Sequence, residues 1–157
     1  MTIRPMTAAD AAEVARLTSA CLNLPAWDAA AYTNLLGEAG RGGGFVAETG
    51  GEMVGLSTFR VTGQDAESLT LAVRADWRRC GLGPRLLAQT LREAARRGAV
   101  RMFLEVRAQN AEALCLYEGM GFQRIGLRRG YYLTPADDAI TLECSLPSSL
   151  PLHWSAV

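Results

Sequence analysis

One segment constrains the fold of this chain more than any other, because a strand, a glycine-rich turn and a helix follow one another over residues 68–97. The strand pattern is SLTLAV at 68–73, and the turn lies in RRCGLG at 78–83. Leucines spaced four residues apart then predict a helix from Leu82 to Arg97, which Gly98 ends. This succession places strands and helices in one structure and raises the question of what the turn binds.

The remaining elements extend the pattern in both directions. Helices are predicted over Thr7–Cys21, from the capping residue Asp28 through Leu36, and over a short segment capped by Asn110. Strands are predicted at 45–49, 53–61, 68–73 and 100–106, in the closing segments FQRIGLRRGYYL and DDAITLECSL, and near TIRPM. The first two would form a hairpin around Gly50 and Gly51, and 37–44 is interpreted as a turn-rich link.

The order of these elements, α-α-β-β-β-α-β-α-β-β, predicts a mixed α/β sheet. The 157 residues show no internal repeat and no domain boundary. We therefore expect a single domain over residues 1–146, followed by a tail at 147–157 that is either docked or loose.

Composition excludes several kinds of chemistry. The four cysteines are widely spaced, without a C-x-x-C pair, which disfavours a disulfide scaffold or a zinc site. His153 is the one histidine and lies in a proline-flanked tail, which removes most histidine-based chemistry, namely Ser-His-Asp triads, Cys-His pairs and histidine-rich metal sites. We expect no bound metal, and an acid or base would come from carboxylates, tyrosines or a thiol.

Charge is balanced overall but not locally. The chain has no lysine, so all 16 basic residues are arginine, and the net charge of zero disfavours direct binding of nucleic acid. Residues 74–107 carry nine arginines against three acidic residues (Asp76, Glu93 and Glu105), a net +6. This segment is either a solvated helix face or a positive field around an anionic ligand.

The sequence favours a soluble cytoplasmic protein without a membrane partner. No apolar run approaches the roughly 20 residues that a membrane span needs. The N-terminal segment is interrupted by charges and a proline, which is unlike a signal peptide.

The turn before the third helix suits an anion, because the first N–H groups of a helix lack intrahelical acceptors and lie at its positive end. A Walker loop requires a lysine, which the chain lacks. A dinucleotide fingerprint requires a third glycine, where the chain has Leu86. Two interpretations remain open at this point: a tight turn that binds nothing, and a phosphate loop of another kind.

The segment VRADWRRCGLGPRLL resembles the acetyl-CoA loop of the GNAT superfamily of N-acetyltransferases, whose signature Arg/Gln-x-x-Gly-x-Gly/Ala is matched by Arg78, Gly81 and Gly83. FLEVRAQNAEALCLYEGMGF adds a strand, an asparagine-capped helix and a strand start at the distances typical of that superfamily. This segment, RRGYY and DDAITLECSL further resemble the RimI family, whose members acetylate the N-terminal alanine of a small-subunit ribosomal protein. The close resemblance covers about residues 68–146.

The resemblance implies a GNAT fold, in which a mostly antiparallel sheet is splayed between its fourth and fifth strands and flanked by about four helices. It also implies that acetyl-CoA lies between the SLTLAV and RMFLEV strands. The cofactor-binding residues that it implies are Leu71, Ala72 and Val73 beside the pantetheine arm, Arg79, Cys80, Gly81, Leu82, Gly83 and Pro84 around the pyrophosphate, and Asn110. Arg78, just before this loop, is also implied as a cofactor-binding residue, with its contact left open.

Two residues are candidates for catalysis. Glu105, in an apolar run, is by sequence alone either an acid held in a salt bridge or a general base, and the resemblance implies the base, acting directly or through water. Tyr117, on a short amphipathic helix, would ordinarily be a core residue, and the resemblance implies that it protonates the departing thiolate of CoA. The implied mechanism is direct attack of the amine in a ternary complex, with the thioester oxygen polarised by a main-chain N–H near Val73.

The acceptor is expected to be a protein N-terminus. Tyr131 and Tyr132 match paired tyrosines that border the peptide groove in the RimI family, although such a pair could also divide between core and surface. Trp27 lies in a segment that resembles the family's Pro-Trp segment loosely, with one extra residue. Two alternatives remain: an acetyltransferase acting on a small amine or a protein lysine, and a non-catalytic module that binds acyl-CoA or a partner.

Overall fold

The computed structural model describes residues 1–21, 23, 24 and 26–146. Its strands are β1 (Thr2–Pro5), β2 (Gly42–Thr49), β3 (Glu52–Thr62), β4 (Asp65–Val73), β5 (Arg101–Arg107), β6 (Gln123–Leu133) and β7 (Ala136–Ser145). Its helices are α1 (Ala11–Ser19), α2 (Ala29–Leu36), α3 (Leu82–Arg96) and α4 (Ala111–Gly119). The predicted tail at 147–157, which includes His153, lies outside the described residues, as do Leu22 and Pro25.

The seven strands form one sheet in the order β1-β2-β3-β4-β5-β7-β6. Neighbouring strands are antiparallel except β4 and β5, which are parallel and pair only where Asp65–Glu67 lies beside Arg101–Phe103. Beyond these three pairs the two strands separate. The predicted mixed α/β fold, with its sheet splayed between the fourth and fifth strands and four flanking helices, is confirmed, and the strand near TIRPM is β1.

The helices cover the two faces of the sheet. The side chains of α1 and α2, among them Val14 and Tyr32, pack with Leu56 and Ala72 of the sheet in one core. The core on the other face joins α3 and α4 to β5 and β7, and its fully buried members include Leu91. No helix among the described residues combines the length and hydrophobicity needed to cross a membrane.

The expectation of a link over 37–44 is wrong at its end, because β2 already begins at Gly42. Glycine is required at these strand positions because a larger side chain would collide with neighbouring backbone atoms. A Cβ on Gly42 would lie 1.8 Å from the Leu35 carbonyl oxygen, and one on Gly44 would lie 2.5 Å from the Ser57 carbonyl oxygen. The glycine run is therefore a packing feature of the sheet, where its composition alone suggested a turn.

A bulge in β4 is a feature that the sequence did not reveal. Thr58 pairs with Thr70, whereas its neighbour Phe59 pairs with Ser68, so Leu69 is one extra residue on β4. Bulges increase the local twist of a strand and help to end its pairing. This one lies just beyond the last pair that β4 makes with β5, where the two strands separate.

Candidate active site

The open edge of β4 is the first component of the site. The Arg74 N–H donates to the Val54 carbonyl at 2.8 Å, so Arg74 and Ala72 direct their backbone groups toward β3. By the same alternation, Leu71 and Val73 direct theirs away from β3, toward β5. Since β5 has already separated from β4, these groups border a gap between residues 68–73 and 104–107, which we call the wedge.

The turn after β4 is tied to the strand end by Arg78. Its Nε donates to the Val73 carbonyl oxygen at 3.1 Å, a contact that the sequence left open. The neighbouring Cys80 is exposed, and its thiol donates to the Trp77 carbonyl. Arg79 has a φ of 60°, in the left-handed region. Together these contacts set the direction in which the chain enters α3.

The two signature glycines serve different purposes. Gly81 precedes α3 with a φ of 82°, and a Cβ there would contact nothing within 4 Å, so its backbone conformation is what requires glycine. Gly83 lies within the first turn, where a Cβ would be 2.9 Å from Cδ1 of Leu116 on α4. Its missing side chain therefore allows α3 and α4 to pack closely beside the wedge.

Substituting Gly81 tests how much the turn contributes to ligand binding. We expect Gly81→Ala to lower the free energy of unfolding by about 1–2 kcal/mol, the cost of a left-handed L-residue, and to weaken binding of the acetyl-CoA that the resemblance implies. Gly119→Ala is a matched control, since that helical glycine also has open space around it and no positive φ. Urea denaturation and calorimetric titration measure the two effects. Equal behaviour of the two variants would contradict this explanation of Gly81.

The start of α3 combines free donors with positive charge. Gly81, at the N-cap, makes no side-chain capping bond, so the N–H groups of Leu82 and Gly83 have no intrahelical acceptor, and Pro84 has no N–H to satisfy. Within the described part of the chain, no carboxylate forms an ion pair with Arg78, Arg79 or Arg85. This arrangement suits an anion with several oxygens.

Glu105 lies on β5 opposite Thr141 of β7. Its strand neighbours Leu104 and Val106 are buried in the core beneath α3 and α4, so the Glu105 side chain points to the other face of the sheet. The side chain is 24% exposed, and Oε1 lies 3.0 Å from Nε of Arg128 on β6. The sequence left Glu105 as either an acid held in a salt bridge or a general base. The salt bridge is present, and it holds the carboxylate in place at the border of the wedge.

Tyr117 lies on α4 and packs against the core on the opposite face from Glu105. Its ring makes an edge contact with Phe122, with 5.6 Å between centroids. Burial raises the pKa of the Tyr117 phenol above its ordinary value of 10.0. The phenol is therefore held in its protonated form, which is the form that an acid requires.

Asn110 begins the helix that carries Tyr117. Its Oδ1 accepts from the Ala113 N–H at 3.2 Å, so the predicted cap is confirmed. The structure does not bring Glu105 and Tyr117 into contact, since one lies on each face of β5. A reaction that uses both residues would therefore take place in the wedge, where the reacting atoms could be reached from both faces of the sheet.

The predicted acceptor residues fall into two groups. Tyr131 is 50% exposed, and its ring lies 5.1 Å from that of the half-buried Tyr132, edge to face. These two rings are at the far end of β6, on the strand that supplies Arg128. Trp27 packs against the α1 and α2 core, with its ring 5.3 Å from that of Tyr32.

Two arginines near Glu105 were missed by sequence reasoning. Arg128 pairs with Glu105, and Arg107 contacts the Tyr132 ring at 4.2 Å. The period of two along LEVR placed Arg107 on the same face as Glu105, which was an available signal. The contact with Arg128 depends on β7 lying between β5 and β6, which local sequence does not determine. Among the described residues, no group of histidine, cysteine, aspartate or glutamate side chains could hold a metal ion.

Comparison with known proteins identifies the family. The model of the Acetyltransferase (GNAT) family matches residues 11–122. Ribosomal protein bS18-alanine N-acetyltransferase from Escherichia coli is 39% identical over 102 residues, covering 64% of this chain and 68% of the relative. N-alpha-acetyltransferase RimI from Mycobacterium tuberculosis is 41% identical over 100 residues, covering 61% of each.

A solved structure agrees with these sequence relationships. The crystal structure of the ribosomal-protein-S18-alanine N-acetyltransferase from Escherichia coli has a TM-score of 0.83 and 30% identity, covering 95% of this chain and 96% of that one. The family model spans the first two helices, the splayed strands and the turn before α3. The chain therefore belongs to the GNAT family of acetyltransferases and is an acetyl-CoA-dependent N-acetyltransferase of the RimI type.

Proposed function

We propose that this enzyme acetylates the N-terminal amine of a protein, with alanine as the first residue and a small-subunit ribosomal protein as the acceptor. The observation that carries the proposal is the arrangement at the wedge, where open backbone groups of β4 and the Glu105 carboxylate of β5 border one gap. The relatives named as alanine N-acetyltransferases support the choice of acceptor.

The residues at the wedge fit acetyl-CoA. Leu71 would offer its backbone N–H and carbonyl to the pantetheine arm, as an added strand does, while Ala72 supplies its buried side chain to the core. Val73 would offer its N–H, since its carbonyl already accepts from Arg78 Nε. The N–H groups of Leu82 and Gly83, with the unpaired arginines of the turn, suit the pyrophosphate. Asn110, at the start of α4, would add a polar contact.

The proposed chemistry requires a base on one face of the sheet and an acid on the other. Glu105 accepts the proton that the amine loses as its nitrogen bonds to the acetyl carbon, either directly or through water. The Val73 N–H donates to the thioester oxygen as negative charge develops there. As the carbon–sulfur bond breaks, Tyr117 donates its proton to the sulfur. The products are an acetylated amine and free CoA.

The acceptor would approach on the face that carries Glu105. Tyr131 and Tyr132 would border the peptide there, since both rings lie on the strand that reaches Glu105 through Arg128. Trp27 would contribute from the α1 and α2 side. An α-amine has a pKa of about 7.7–8.0, so a carboxylate base suffices near neutral pH, whereas a lysine amine near 10.4 would require more assistance. We place the reaction in the cytoplasm, where ribosomal proteins are made.

A panel of acceptors tests the proposal. We expect the purified chain to release CoA from acetyl-CoA with an alanine-initiated peptide at least tenfold faster than with two comparison acceptors. These are the same peptide with a blocked N-terminus and an internal lysine, and a free polyamine. Thiol release gives the rate and mass spectrometry gives the modified atom. Because the enzyme contains no lysine, acetyl-lysine detected in the reaction comes from the acceptor.

Each alternative predicts a different outcome of this panel. Faster turnover with the lysine peptide or the polyamine would replace the proposed acceptor class. Binding of acetyl-CoA without turnover of any acceptor would contradict the proposed reaction and favour a non-catalytic module. A preference for a first residue other than alanine would retain N-terminal acetylation and overturn the specificity.

A further inference from the structure

Arg107, the last residue of β5, is buried against the turn between β6 and β7. Only 8% of its surface is exposed. Nη1 donates to the Pro135 carbonyl at 2.7 Å, and Nη2 donates to the Thr134 carbonyl at 3.2 Å. The guanidinium carbon lies 4.2 Å from the centroid of the Tyr132 ring. One side chain therefore holds both the turn and one of the paired tyrosines.

The partners of Arg107 are unusual for a buried cation. Within the described ranges it forms no ion pair with a carboxylate, and its buried Nε has no hydrogen-bond partner. A buried charge is costly unless it is paired, so two carbonyls and an aromatic ring are weak compensation. Arg101, on the same strand, is exposed, pairs with Asp65 and lies over the Phe103 ring. Both arginines lie on β5 and each contacts an aromatic ring, but only Arg107 also binds the β6–β7 turn.

The position of Arg107 links the turn to the proposed base. Glu105 and Arg107 are two residues apart on β5, so their side chains leave the same face of the sheet. Across β7, Arg107 is level with Arg128, the partner of Glu105. The strand that positions the carboxylate thus also positions Tyr132 and the turn residues Thr134 and Pro135.

We propose that Arg107 is a positioning residue for the acceptor, which sets Tyr132 and the β6–β7 turn relative to Glu105 and so governs the affinity for the peptide. The inference rests on the proposed function, because it assigns the face of Glu105 to the acceptor. It assigns no part of acetyl-CoA binding to Arg107. The planar fork of arginine is needed, since one group must donate to two carbonyls and stack on a ring at once.

Steady-state kinetics of three variants test the role. We expect Arg107→Gln to raise the KM of the alanine-initiated peptide at least tenfold while the Kd of acetyl-CoA stays within twofold. Arg107→Lys restores the charge without the fork, so we expect it to recover only part of the peptide affinity. Arg101→Gln, the matched control, leaves both constants unchanged. Equal losses for peptide and acetyl-CoA, or full recovery with lysine, would overturn the proposal.

Hydrogen exchange separates this inference from the proposed function. In Arg107→Gln, the amide N–H groups of residues 131–134 and 136 should exchange at least tenfold faster, while those of α3 keep their wild-type rates. If wild-type enzyme acetylates none of the peptides, the proposed function fails. The exchange rates then decide by themselves whether Arg107 positions the β6–β7 turn. Should Arg107→Gln not fold, Tyr132→Leu removes the ring contact from the other side and is expected to raise the peptide KM by itself. Unchanged exchange at the turn, or an unchanged peptide KM in Tyr132→Leu, overturns the positioning role.

Discussion

Glu105→Gln is expected to lower kcat for an alanine-initiated peptide by roughly 10²–10⁴-fold, the usual contribution of a positioned acid or base. The amide has the same shape as the carboxylate but accepts no proton from the amine. The buried neighbours Leu104 and Val106 hold the strand in place, so the Kd of acetyl-CoA should stay within twofold. Rapid-mix turnover and calorimetric titration measure the two constants.

Two controls isolate the role of the carboxylate. Glu143→Gln alters a carboxylate on β7 that is level with Phe103 and lies on the same face of the sheet as Glu105, so its kcat should match that of the wild type. Arg128→Gln removes the partner of Glu105 but keeps the carboxylate. Arg128 is 61% exposed, so its loss should change the free energy of unfolding by no more than about 1 kcal/mol. Wild-type turnover in Glu105→Gln would remove this residue from the mechanism.

If Tyr117 is the acid proposed above, Tyr117→Phe is expected to lower kcat by about 10²-fold or more, because the thiolate of CoA would then leave without a proton donor. The substitution removes a single hydroxyl and keeps the ring that contacts Phe122. Folding and acetyl-CoA affinity should therefore be little changed. Turnover and thermal denaturation of the same preparation distinguish loss of the acid from loss of the fold.

Tyr32→Phe is the matched control for this change. Tyr32 is fully buried, and its hydroxyl donates to the Thr18 hydroxyl at 3.1 Å in the core on the α1 side. Losing that bond should lower the free energy of unfolding by about 1 kcal/mol and leave kcat unchanged. A similar fall of kcat in both variants would show that general loss of packing, and not the Tyr117 proton, limits the reaction.

The pH dependence follows from the raised pKa of Tyr117. The phenol stays protonated over the range in which a peptide amine loses its proton, about pH 7.7–8.0. Turnover should therefore rise through that range and remain level up to pH 10. Above pH 10 an unfolded tyrosine ionises while the folded one does not, so the free energy of unfolding falls as pH rises, and Tyr117→Phe removes this part of the fall.

The elements of the fold were largely predictable because each has a local signal. Asp28 and Asn110 cap their helices as predicted, with bonds to the Ala31 and Ala113 N–H groups. The turn before α3 was predictable because few residue types can adopt the left-handed conformation seen at Gly81. The strand at Gly42–Gly44 was missed because its glycines are required by packing against Leu35 on α2 and Ser57 on β3, contacts that composition does not reveal.

The contacts within the site depend on strand order, and this limited the prediction of the site. Glu105 and Tyr117 could be proposed as candidates from their motif, and their catalytic roles remain predictions. The pairing of Glu105 with Arg128 could not be predicted, because β7 enters between β5 and β6 only in three dimensions. The same holds for the bond from Arg107 to the Thr134 carbonyl, which spans 27 positions of the sequence.

The short pairing between β4 and β5 also bears on the cooperativity of unfolding. Three residue pairs join strands β1–β4 to strands β5–β7, so the backbone hydrogen bonds of the sheet fall into two subsheets. The side-chain core beneath α3 spans both subsheets. A cosubstrate arm placed against β4, as proposed, would add backbone contacts where the strands provide none. We therefore expect the bound enzyme to open as a single cooperative unit, and the free enzyme to open first along this seam.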